Sequence, residues 1–316
     1  MPLLFSNLSP LKTASKSYAS VFGDLIGKAD KAKIATGFIS TDSLVDLKNI
    51  IEANRGPFVN ICVGMHYFEG MTKSQLSALN SLNDFLIEKN LGQIWMAVTF
   101  PFHGKVANFS KKDKIIGSII GSSNLSNILE NQRQYEADYL IEDENERNEL
   151  DDFINRLFDL SSEPLSKLDN IKIIEPKNDL LVDQLGVEKS SENSESVRNN
   201  FSNLSFDIPL KGDESRKSGL NASFGEGRRN TQGFVIPRSW YEVELIVPKH
   251  ITTLPGYPKA DPRSDSGAFD VITDDGWKFR CKVSGDYSKN FRSESDLKIM
   301  GKWLKGRLEN AGVLEP

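Results

Sequence analysis

The sequence predicts an α/β domain with a central sheet covered by helices on both faces, followed by a smaller, β-rich domain. Up to about residue 160, apolar strand-like runs alternate with segments of helical period, as in layered α/β folds. After residue 205 the apolar period changes to two, which is typical of half-buried antiparallel strands. The 316 residues are 38% hydrophobic, enough for a core in each domain. We therefore expect a domain over 1–165, a linker over 166–204 and a second domain over 205–316.

The first predicted domain alternates between helices and strands along its length. Helical spacing of apolar residues is found in KSYASVFGDLIGKA, TDSLVDLKNIIEAN, KSQLSALNSLNDFLIEKN and ERNELDDFINRLFDL. Strands are predicted in KIATGFIS, FVNICVGMH, QIWMAVTFPF, DKIIGSIIGSS and EADYLIE. Because these strands are rich in β-branched residues and do not alternate with polar ones, we expect both faces of the sheet to be covered.

The second predicted domain follows a polar segment. EKSSENSESVRNNFSN is rich in Ser, Asn and Glu and poor in apolar residues, which is typical of a linker. Beyond it, FDVITDDGWKFRCKV has the pattern of a hairpin with Asp-Asp-Gly at its turn. In the second arm of this hairpin apolar residues alternate with basic ones, so Lys278, Arg280 and Lys282 are expected to share one face.

A helix is predicted near the end of the second domain, in SESDLKIMGKWLKGRL. Ser293 and Asp296 have the spacing of a capping box at its start. Its apolar stripe consists of Leu297, Met300, Leu304 and Leu308. The basic residues opposite this stripe are expected to form a solvated face: Lys298, Lys302, Lys305 and Arg307.

Composition narrows the class of protein. The formal net charge is −5, so contact with nucleic acid would depend on where the basic residues are placed rather than on the average. MPLLFSNLSPLK lacks the features of a secretory signal, and no apolar run is long enough to span a membrane, so we expect a cytoplasmic protein without membrane contact. Cys62 and Cys281 lie in apolar, strand-like runs, which predicts buried thiols, no disulfide framework and no Cys-rich metal site.

Candidate catalytic residues are concentrated in FHGKVANFSKKDKIIGSIIGSSNLS, residues 102–126. His103 and Lys105 follow a strand predicted to end at Phe100, and they share one face if the strand extends through them. An imidazole can attack phosphorus while an ammonium holds a nonbridging oxygen. In the Gly-Ser-Ser-Asn turn further along, the Ser122 hydroxyl and the Asn124 amide can donate to the same anion. The pattern therefore predicts a phosphate cradle; the alternative is a solvated loop.

Further polar residues are candidates for supporting roles. Glu136, in RQYEADYL, is the nearest downstream carboxylate on a strand, and we expect it to accept a hydrogen bond from the far imidazole nitrogen and so orient the ring. His66, in GMHYFEG, either lines the same cleft or caps a strand end, and the second interpretation is favoured. His250, the remaining histidine, has no lysine two positions on.

His103, Lys105 and Gly121-Ser122-Ser123-Asn124 resemble the H-x-K … G-S-x-N signature of the phospholipase D superfamily of phosphodiesterases, over about the first 160 residues. The superfamily pattern has an aspartate five residues after the lysine, where this chain has Ser110, with Asp113 three residues later. In the nuclease branch a glutamate beyond the turn serves instead, which points to Glu136. The resemblance implies a phospholipase D-like α/β sandwich and a covalent phosphohistidine, without metal or cofactor.

In-line displacement at phosphorus requires a nucleophile on one side and an acid on the other. One histidine cannot stand on both sides, so the economical expectation is an isologous homodimer that pools two sites through the nuclease domain, as superfamily members with a single motif do. His103 of one subunit would form the phosphohistidine, and the second His103 would protonate the leaving oxygen. Lys105, Ser122 and Asn124 from both chains would neutralise the developing charge.

Double-stranded DNA is the expected partner of the second domain. Arginine reads guanine, asparagine and glutamine read adenine, and lysine suits phosphate. A membrane-binding surface would instead need an amphipathic helix with an apolar face. The expected DNA-binding residues, for which ordinary surface charge is the alternative, are Arg228, Arg229, Asn230, Gln232, Lys278, Arg280, Lys282, Lys289, Asn290 and Arg292.

The domain order, β-rich pattern and basic segments of residues 205–316 resemble the recognition arms of the B3-like DNA-binding pseudobarrel. The whole chain resembles restriction endonucleases of the NgoFVII type, for which the resemblance implies an ATPase/helicase-like subunit as a further partner. We therefore expect a sequence-specific, metal-independent restriction endonuclease that cleaves double-stranded DNA. The alternatives are a non-specific phosphodiesterase or repair nuclease, and a non-enzymatic DNA-binding protein with a vestigial cleft.

Overall fold

The protein is described by a computed structural model in which the described residues form two compact units. The first unit consists of Met1–Pro176, Arg228–Pro237 and Glu315–Pro316, and the second of Lys177–Gly227 and Arg238–Leu314. The structure describes residues 2–8, 10–129, 134–175, 180–182, 184–190, 204–210, 220, 228–229, 233–260 and 267–316.

The described strands and helices are numbered in chain order. The strands are β1 (Leu3–Phe5), β2 (Lys31–Thr36), β3 (Phe58–Val63), β4 (Gly92–Ala97), β5 (Lys105–Lys111), β6 (Lys114–Gly121), β7 (Ala137–Ile141), β8 (Ser162–Pro164), β9 (Val187–Lys189), β10 (Arg228–Arg229), β11 (Val235–Ile236), β12 (Leu245–Ile246), β13 (Ala268–Ile272), β14 (Trp277–Ser284) and β15 (Asn290–Ser293). The helices are α1 (Tyr18–Ile26), α2 (Thr41–Asn54), α3 (His66–Glu69), α4 (Lys73–Glu88), α5 (Glu144–Ser161), α6 (Lys249–Thr252) and α7 (Lys298–Asn310).

The first unit is built on an eight-stranded mixed sheet with the order β1-β7-β6-β5-β2-β3-β4-β8. Strands β2, β3 and β4 run parallel, and the other neighbours are antiparallel. Val106 packs with Ile154 and Phe158 of α5 on one face. Phe109 points to the opposite face, where the Phe22 ring of α1 meets it edge-on at 5.3 Å. The predicted α/β sandwich with helices on both faces is thus confirmed.

Sheet topology brings the candidate catalytic segments to one end of the sheet. Lys105, the first residue of β5, lies opposite Thr36, the last residue of β2. Gly121, the last residue of β6, lies opposite Asp138 of β7. Because β5 and β6 are themselves antiparallel neighbours, the start of β5 and the end of β6 meet at this end. Residues far apart in the chain therefore lie at the same end of the sheet.

The chain leaves β4 earlier than predicted. The strand that we expected to reach Phe100 ends at Ala97. Phe102 packs against the end of β3 instead, since its N–H donates to the Gly64 carbonyl at 3.2 Å and a Cβ at Gly64 would lie 1.8 Å from the Phe102 carbonyl oxygen. His103 therefore precedes β5 rather than lying on it.

The second unit contains an antiparallel sheet in which β12, β15, β14 and β13 are successive neighbours and β9 also pairs with β14. The predicted hairpin is confirmed as β13 and β14, with Phe269 opposite Cys281. The predicted alternation along β14 is confirmed as well, because Trp277, Phe279, Cys281 and Val283 are buried. This sheet is consistent with a B3-like domain.

The predicted solvated face of α7 is wrong for two of its lysines. Lys305 is 0% exposed, and its Nζ donates to the Trp240 carbonyl oxygen and lies 3.6 Å from the centroid of the Trp240 ring. Lys302 Nζ donates to Gln184 Oε1 at 2.6 Å. The helix is therefore covered on the side opposite its apolar stripe, and a cation–π contact and hydrogen bonds satisfy the buried ammonium groups.

The start of α7 also differs from the prediction. Ser293 lies on β15 rather than at the N-cap position, which is Leu297, and its hydroxyl donates to the Asp296 carbonyl oxygen at 2.6 Å. The helix begins at Lys298, whose N–H donates to Asp296 Oδ1 at 3.0 Å. Both side chains therefore accept from the first turn, because Ser293 Oγ also accepts from the Met300 N–H at 3.4 Å.

The described residues of the interval 166–204 contact one unit or the other. Ile173 forms a parallel β-bridge with Met71 in the first unit. In the second unit, β9 pairs with the start of β14, and Leu181 is buried in the hydrophobic core.

The hairpin of β10 and β11 belongs to the first unit, although it falls within the predicted second domain. Val235 pairs with the side chain of Asn54 at the end of α2: Asn54 Nδ2 donates to Val235 O at 2.7 Å, and Val235 N donates to Asn54 Oδ1 at 2.6 Å. A Cβ at Gly27 would lie 2.8 Å from the Phe234 ring, so glycine permits this approach. An amide side chain thus binds the hairpin main chain as a neighbouring strand would.

Candidate active site

His103 and Lys105 lie side by side at the start of β5. Lys105 Nζ donates to the His103 carbonyl oxygen at 2.7 Å and lies 3.4 Å from Nδ1 and 3.3 Å from Nε2 of the imidazole. The Phe38 ring stands edge-on to the imidazole at 5.5 Å, and a Cβ at Gly37 would lie 3.2 Å from His103 Cα. His103 is exposed, so a substrate can reach the imidazole and the ammonium together.

Asn124 is held with a defined orientation. Its Oδ1 accepts from the Phe38 N–H at 3.2 Å and lies 3.3 Å from Thr36 Oγ1. Since a main-chain N–H needs an acceptor, the amide oxygen must face Phe38, and Nδ2 is the end that can donate to a bound anion. Thr36 Oγ1 in turn accepts from the Leu125 N–H at 3.2 Å, which ties the turn to the end of β2.

Ser122 and Glu136 form a pair beside the turn. Ser122 Oγ donates to Glu136 Oε2 and accepts from the Ala137 N–H at 3.0 Å. The sequence predicted that Glu136 would bond the imidazole; within one chain, the described partner of its carboxylate is Ser122. Burial raises the pKa of Glu136, and the charge of Asp138 raises it further, while the Ser122 bond and Lys105 lower it. Burial lowers the pKa of Lys105.

Asp138 is a buried carboxylate that sequence reasoning missed. Ser123 N–H donates to its Oδ1 at 2.9 Å, and Ser123 Oγ donates to its Oδ2 at 2.6 Å. A Cβ at Gly121 would lie 2.2 Å from Asp138 Oδ1, so the glycine is required by this close approach. The sequence feature that could have identified Asp138 is its spacing of two residues from Glu136, because residues two apart along a strand point to the same face.

His66 is a structural residue. It is 6% exposed, its Nε2 accepts from the Ile39 N–H at 3.2 Å, and its Nδ1 bonds the Gly70 carbonyl at 2.9 Å. Because a carbonyl can only accept, the proton lies on Nδ1 and both ring nitrogens are used within the fold. The structure thus agrees with a structural role, but these bonds join the segment after β2 to the end of α3 instead of capping a strand end.

Asp113, near the position of the superfamily aspartate, lies away from these residues. It is exposed in the turn between β5 and β6 and forms an ion pair with Lys31 at 2.7 Å. The length of β5 separates it from Lys105 by about 20 Å at the usual rise of a strand. Asp113 therefore cannot orient the imidazole of its own chain.

Several predicted DNA-binding residues of the second unit lie on β14 and β15. Arg280 is exposed and forms ion pairs with Glu294 at 2.7 Å and Asp270 at 3.8 Å. Lys282 and Arg292 lie directly opposite each other in the β14–β15 pairing. Among the described residues, no acidic side chain pairs with either, and the buried Arg292 Nε lacks a hydrogen-bond partner.

The remaining predicted DNA-binding residues are dispersed. Lys278 is half-buried on β14, Asn290 lies on β15, and Lys289 is 3.7 Å from Asp286. Arg229 is exposed on β10, and its Nη1 donates to the Gly233 carbonyl at 3.2 Å. The side chain of Arg228 and all of Asn230 and Gln232 lie outside the described residues.

The described parts of the chain also bear on two other kinds of site. In those parts, no helix is both long and apolar enough to cross a membrane. Nor do three or more His, Cys, Asp or Glu side chains group there as metal ligands would.

Comparison with protein families gives two successive matches, separated by residues 168–195. The family model described as the NgoFVII restriction endonuclease N-terminal PLD domain matches residues 16–167. The model described as the NgoFVII C-terminal B3-like DNA-binding domain matches residues 196–316. The first match contains all five predicted catalytic residues, and the second contains all the predicted DNA-binding residues. No curated protein matches the chain.

Three solved structures are similar to about half of the chain at low identity. Nuc from Salmonella typhimurium, a phospholipase D family member, is 16% identical over 51% of this chain and 95% of its own, with a TM-score of 0.36. NucT from Helicobacter pylori is 19% identical over 46% of this chain and 89% of its own, with a TM-score of 0.35. Phosphatidylserine synthase from Haemophilus influenzae Rd KW20 is 15% identical over 53% of this chain and 41% of its own, with a TM-score of 0.37.

Proposed function

Because this chain belongs to the NgoFVII family of restriction endonucleases, with a phospholipase D-type domain and a B3-like DNA-binding domain, we propose that it cleaves double-stranded DNA sequence-specifically and without a metal ion. The observation that carries the catalytic half of this proposal is the contact of the Lys105 ammonium with the His103 ring beside an outward-facing Asn124 amide. A nucleophile, a cation and a neutral donor are thus available at the same end of the sheet.

In the proposed first step, an imidazole nitrogen of His103 attacks the phosphorus of the scissile diester. An N–P bond forms, and the bond from phosphorus to the leaving oxygen breaks. The protonated imidazole of a second His103, from the partner subunit, gives its proton to that oxygen. One strand end is released as a hydroxyl, and the other remains attached to His103 as a phosphoramidate.

In the second step, water attacks the phosphorus of this intermediate. Its proton passes to the imidazole that had acted as the acid, the N–P bond breaks, and a phosphate monoester end is released. Both imidazoles thereby return to their starting states. The dimer is supported by the bonds of His66, whose ring nitrogens are both engaged within the fold.

Lys105, Ser122 and Asn124 are assigned to the phosphate in this mechanism. Charge builds on the nonbridging oxygens as the nucleophile approaches, and each well-placed donor lowers the barrier by about 3 kcal/mol. Asn124 is supported in this role by Phe38 and Thr36, which turn its amide hydrogens outward. Glu136 acts through Ser122, whose hydroxyl it binds.

In the second unit we assign Lys282 and Arg292 to DNA phosphates. Like charges directly opposite each other destabilise a sheet, and a bound phosphate would relieve that repulsion. Arg280 is assigned a weaker contribution, because Glu294 and Asp270 already compensate its charge. An ATPase/helicase-like subunit and a cytoplasmic location complete the proposal.

The decisive experiment is digestion of a sequenced plasmid by the full chain, with and without excess EDTA, followed by mapping of the fragment ends. We expect discrete fragments in both conditions and none with His103→Ala, which should still bind DNA. A smear would instead indicate a non-specific nuclease, and loss of cleavage in EDTA would indicate a metal enzyme. Unchanged cleavage by His103→Ala would overturn the assignment of the nucleophile.

A further inference from the structure

Two carboxylates, two residues apart, each accept hydrogen bonds from one serine of the Gly121–Asn124 turn. One directly precedes β7, and the other lies within it. Glu136 accepts from Ser122 Oγ, and Asp138 accepts from both the N–H and the hydroxyl of Ser123. Glu136 and Asp138 share a face because they are two residues apart along the strand. Only Glu136 of this pair has a place in the mechanism proposed above.

Asp138 is the more deeply buried of the two. It is 4% exposed, and its Oδ1 lies so near Gly121 that a Cβ there would be 2.2 Å away. Burying a carboxylate is costly unless hydrogen bonds compensate, and Ser123 supplies two of them. A hydrophobic side chain would fill this space without that cost, so packing alone does not explain a charged residue at this position.

The turn is clamped from two sides. On the β2 side, Phe38 and Thr36 engage the Asn124 amide. On the β7 side, Asp138 engages Ser123. Ser122 and Asn124, which present donors to the phosphate, thus flank Ser123, whose main chain and side chain both donate to Asp138. Loss of either clamp would let the donors move relative to the imidazole.

We propose that Asp138 is a positioning residue of the phosphodiesterase site: it fixes the turn that presents Ser122 and Asn124 to the phosphate, and its negative charge acts on Glu136. The proposal rests on the function proposed above for the same site. Asp138 itself contacts the turn and is not assigned to the substrate.

The electrostatic part of this role has a defined sign. The groups that face the Glu136 carboxylate are Ser122, Lys105 and Asp138. The Glu136 N–H donates to the Ser6 hydroxyl. Burial raises the pKa of Tyr18, and the charge of Asp138 raises it further. The charge of Asp138 raises the pKa of Glu136, so neutralising Asp138 lowers it. Ionised Glu136 is the stronger acceptor for the Ser122 hydroxyl, so the acid limb of the activity profile should move to lower pH.

The test measures kcat/KM against pH for the full chain and for Asp138→Asn, on plasmid DNA and on bis(4-nitrophenyl) phosphate, a small phosphodiester. The asparagine keeps an acceptor for the Ser123 N–H but removes the charge. We expect about a tenfold loss at neutral pH and an acid limb displaced to lower pH. Asp138→Ala, which also removes the clamp, should lose about 100-fold.

The matched control is Asp113→Asn, which neutralises an exposed aspartate at the other end of β5. It should leave both rate and profile unchanged. Thermal melting of each variant shows whether it is folded, and Asp138→Asn serves if the alanine variant is not.

Wild-type activity and pH profile in Asp138→Asn would overturn the inference, even if DNA is cleaved as proposed. Loss of activity without a shift of the acid limb would overturn the effect of the Asp138 charge on Glu136. The role of Asp138 in fixing the turn through Ser123 would stand. If the wild type hydrolyses only the small diester and Asp138→Asn shifts that profile, the restriction function fails and the positioning role stands. A wild type inactive on both substrates overturns both.

Discussion

Lysines and polar side chains lie near both ends of β5, but the two ends differ in whether the lysines form ion pairs with carboxylates. At the far end, Lys31 pairs with Asp113 at 2.7 Å, and opposite the middle of the strand Lys33 pairs with Asp151 at 3.0 Å. At the near end, Lys105 contacts an imidazole and a main-chain carbonyl, and no described carboxylate lies within ion-pair distance of it. A cation without a carboxylate partner, rather than a cluster of polar residues as such, distinguishes the candidate active site.

The sheet of the second unit repeats this contrast. Arg280 is compensated by Glu294 and Asp270, whereas Lys282 and Arg292 face each other with no described acidic partner. Since a paired charge has little left to offer a phosphate, the unpaired cations are the ones that DNA should engage. The difference can be tested in both units by comparing paired with unpaired residues.

The largest effect is expected for Lys105→Met. Methionine keeps much of the side-chain length but removes the charge that would neutralise the phosphate. We expect kcat to fall by about 100- to 1,000-fold, measured in single-turnover cleavage at saturating DNA. Lys31→Met, the control at the compensated end of β5, should cleave at the wild-type rate. Equal losses in the two variants would show that the lack of a carboxylate partner for a lysine does not identify the active site.

A somewhat smaller effect is expected for Asn124→Ala, which removes the outward-facing amide. Single-turnover rates should fall by about 100-fold, because one donor to the developing charge is lost. Thr36→Val tests the orientation separately: it keeps Asn124 but removes a hydroxyl that contacts Oδ1 and binds the Leu125 N–H. Its rate should lie between those of Asn124→Ala and the wild type. A Thr36→Val rate equal to the wild type would contradict the role of this contact.

In the second unit, Lys282→Ala and Arg292→Ala should each weaken DNA binding while leaving the single-turnover rate at saturation unchanged. Loss of one phosphate contact should reduce the slope of log K against log salt by about 1. Arg280→Ala is the compensated control and should change the slope less. The measurement is a binding titration at several salt concentrations. A larger effect for Arg280→Ala would reverse the assignment.

Local patterns were sufficient to predict the layers of the fold and the residues of the two motifs. The alternation along β14 is set by neighbours in sequence, so periodicity finds it. His103, Lys105 and Asn124 were predicted from their spacing, and the structure brings them to one end of the sheet.

Contacts that depend on packing could not be predicted in this way. The clamp of Asp138 on Ser123 joins residues 15 apart through the β6–β7 pairing, which no local period encodes. Helical period shows which side of α7 lies opposite its stripe, but not that Trp240 covers Lys305 there. The error at α7 was therefore to equate that side with solvent.

The smallest effect is expected for Asp113→Asn, at the compensated end of β5. Lys31 holds the pKa of Asp113 below its ordinary value, so any stability from the pair is present above the unfolded pKa and is lost as pH falls. Both side chains are largely exposed, and such pairs contribute little because water and salt screen them. Melting temperature at neutral pH should barely change, and the difference from wild type should vanish in acid. A large loss of cleavage would instead place Asp113 in the site, and the contrast between the two ends of β5 would fail.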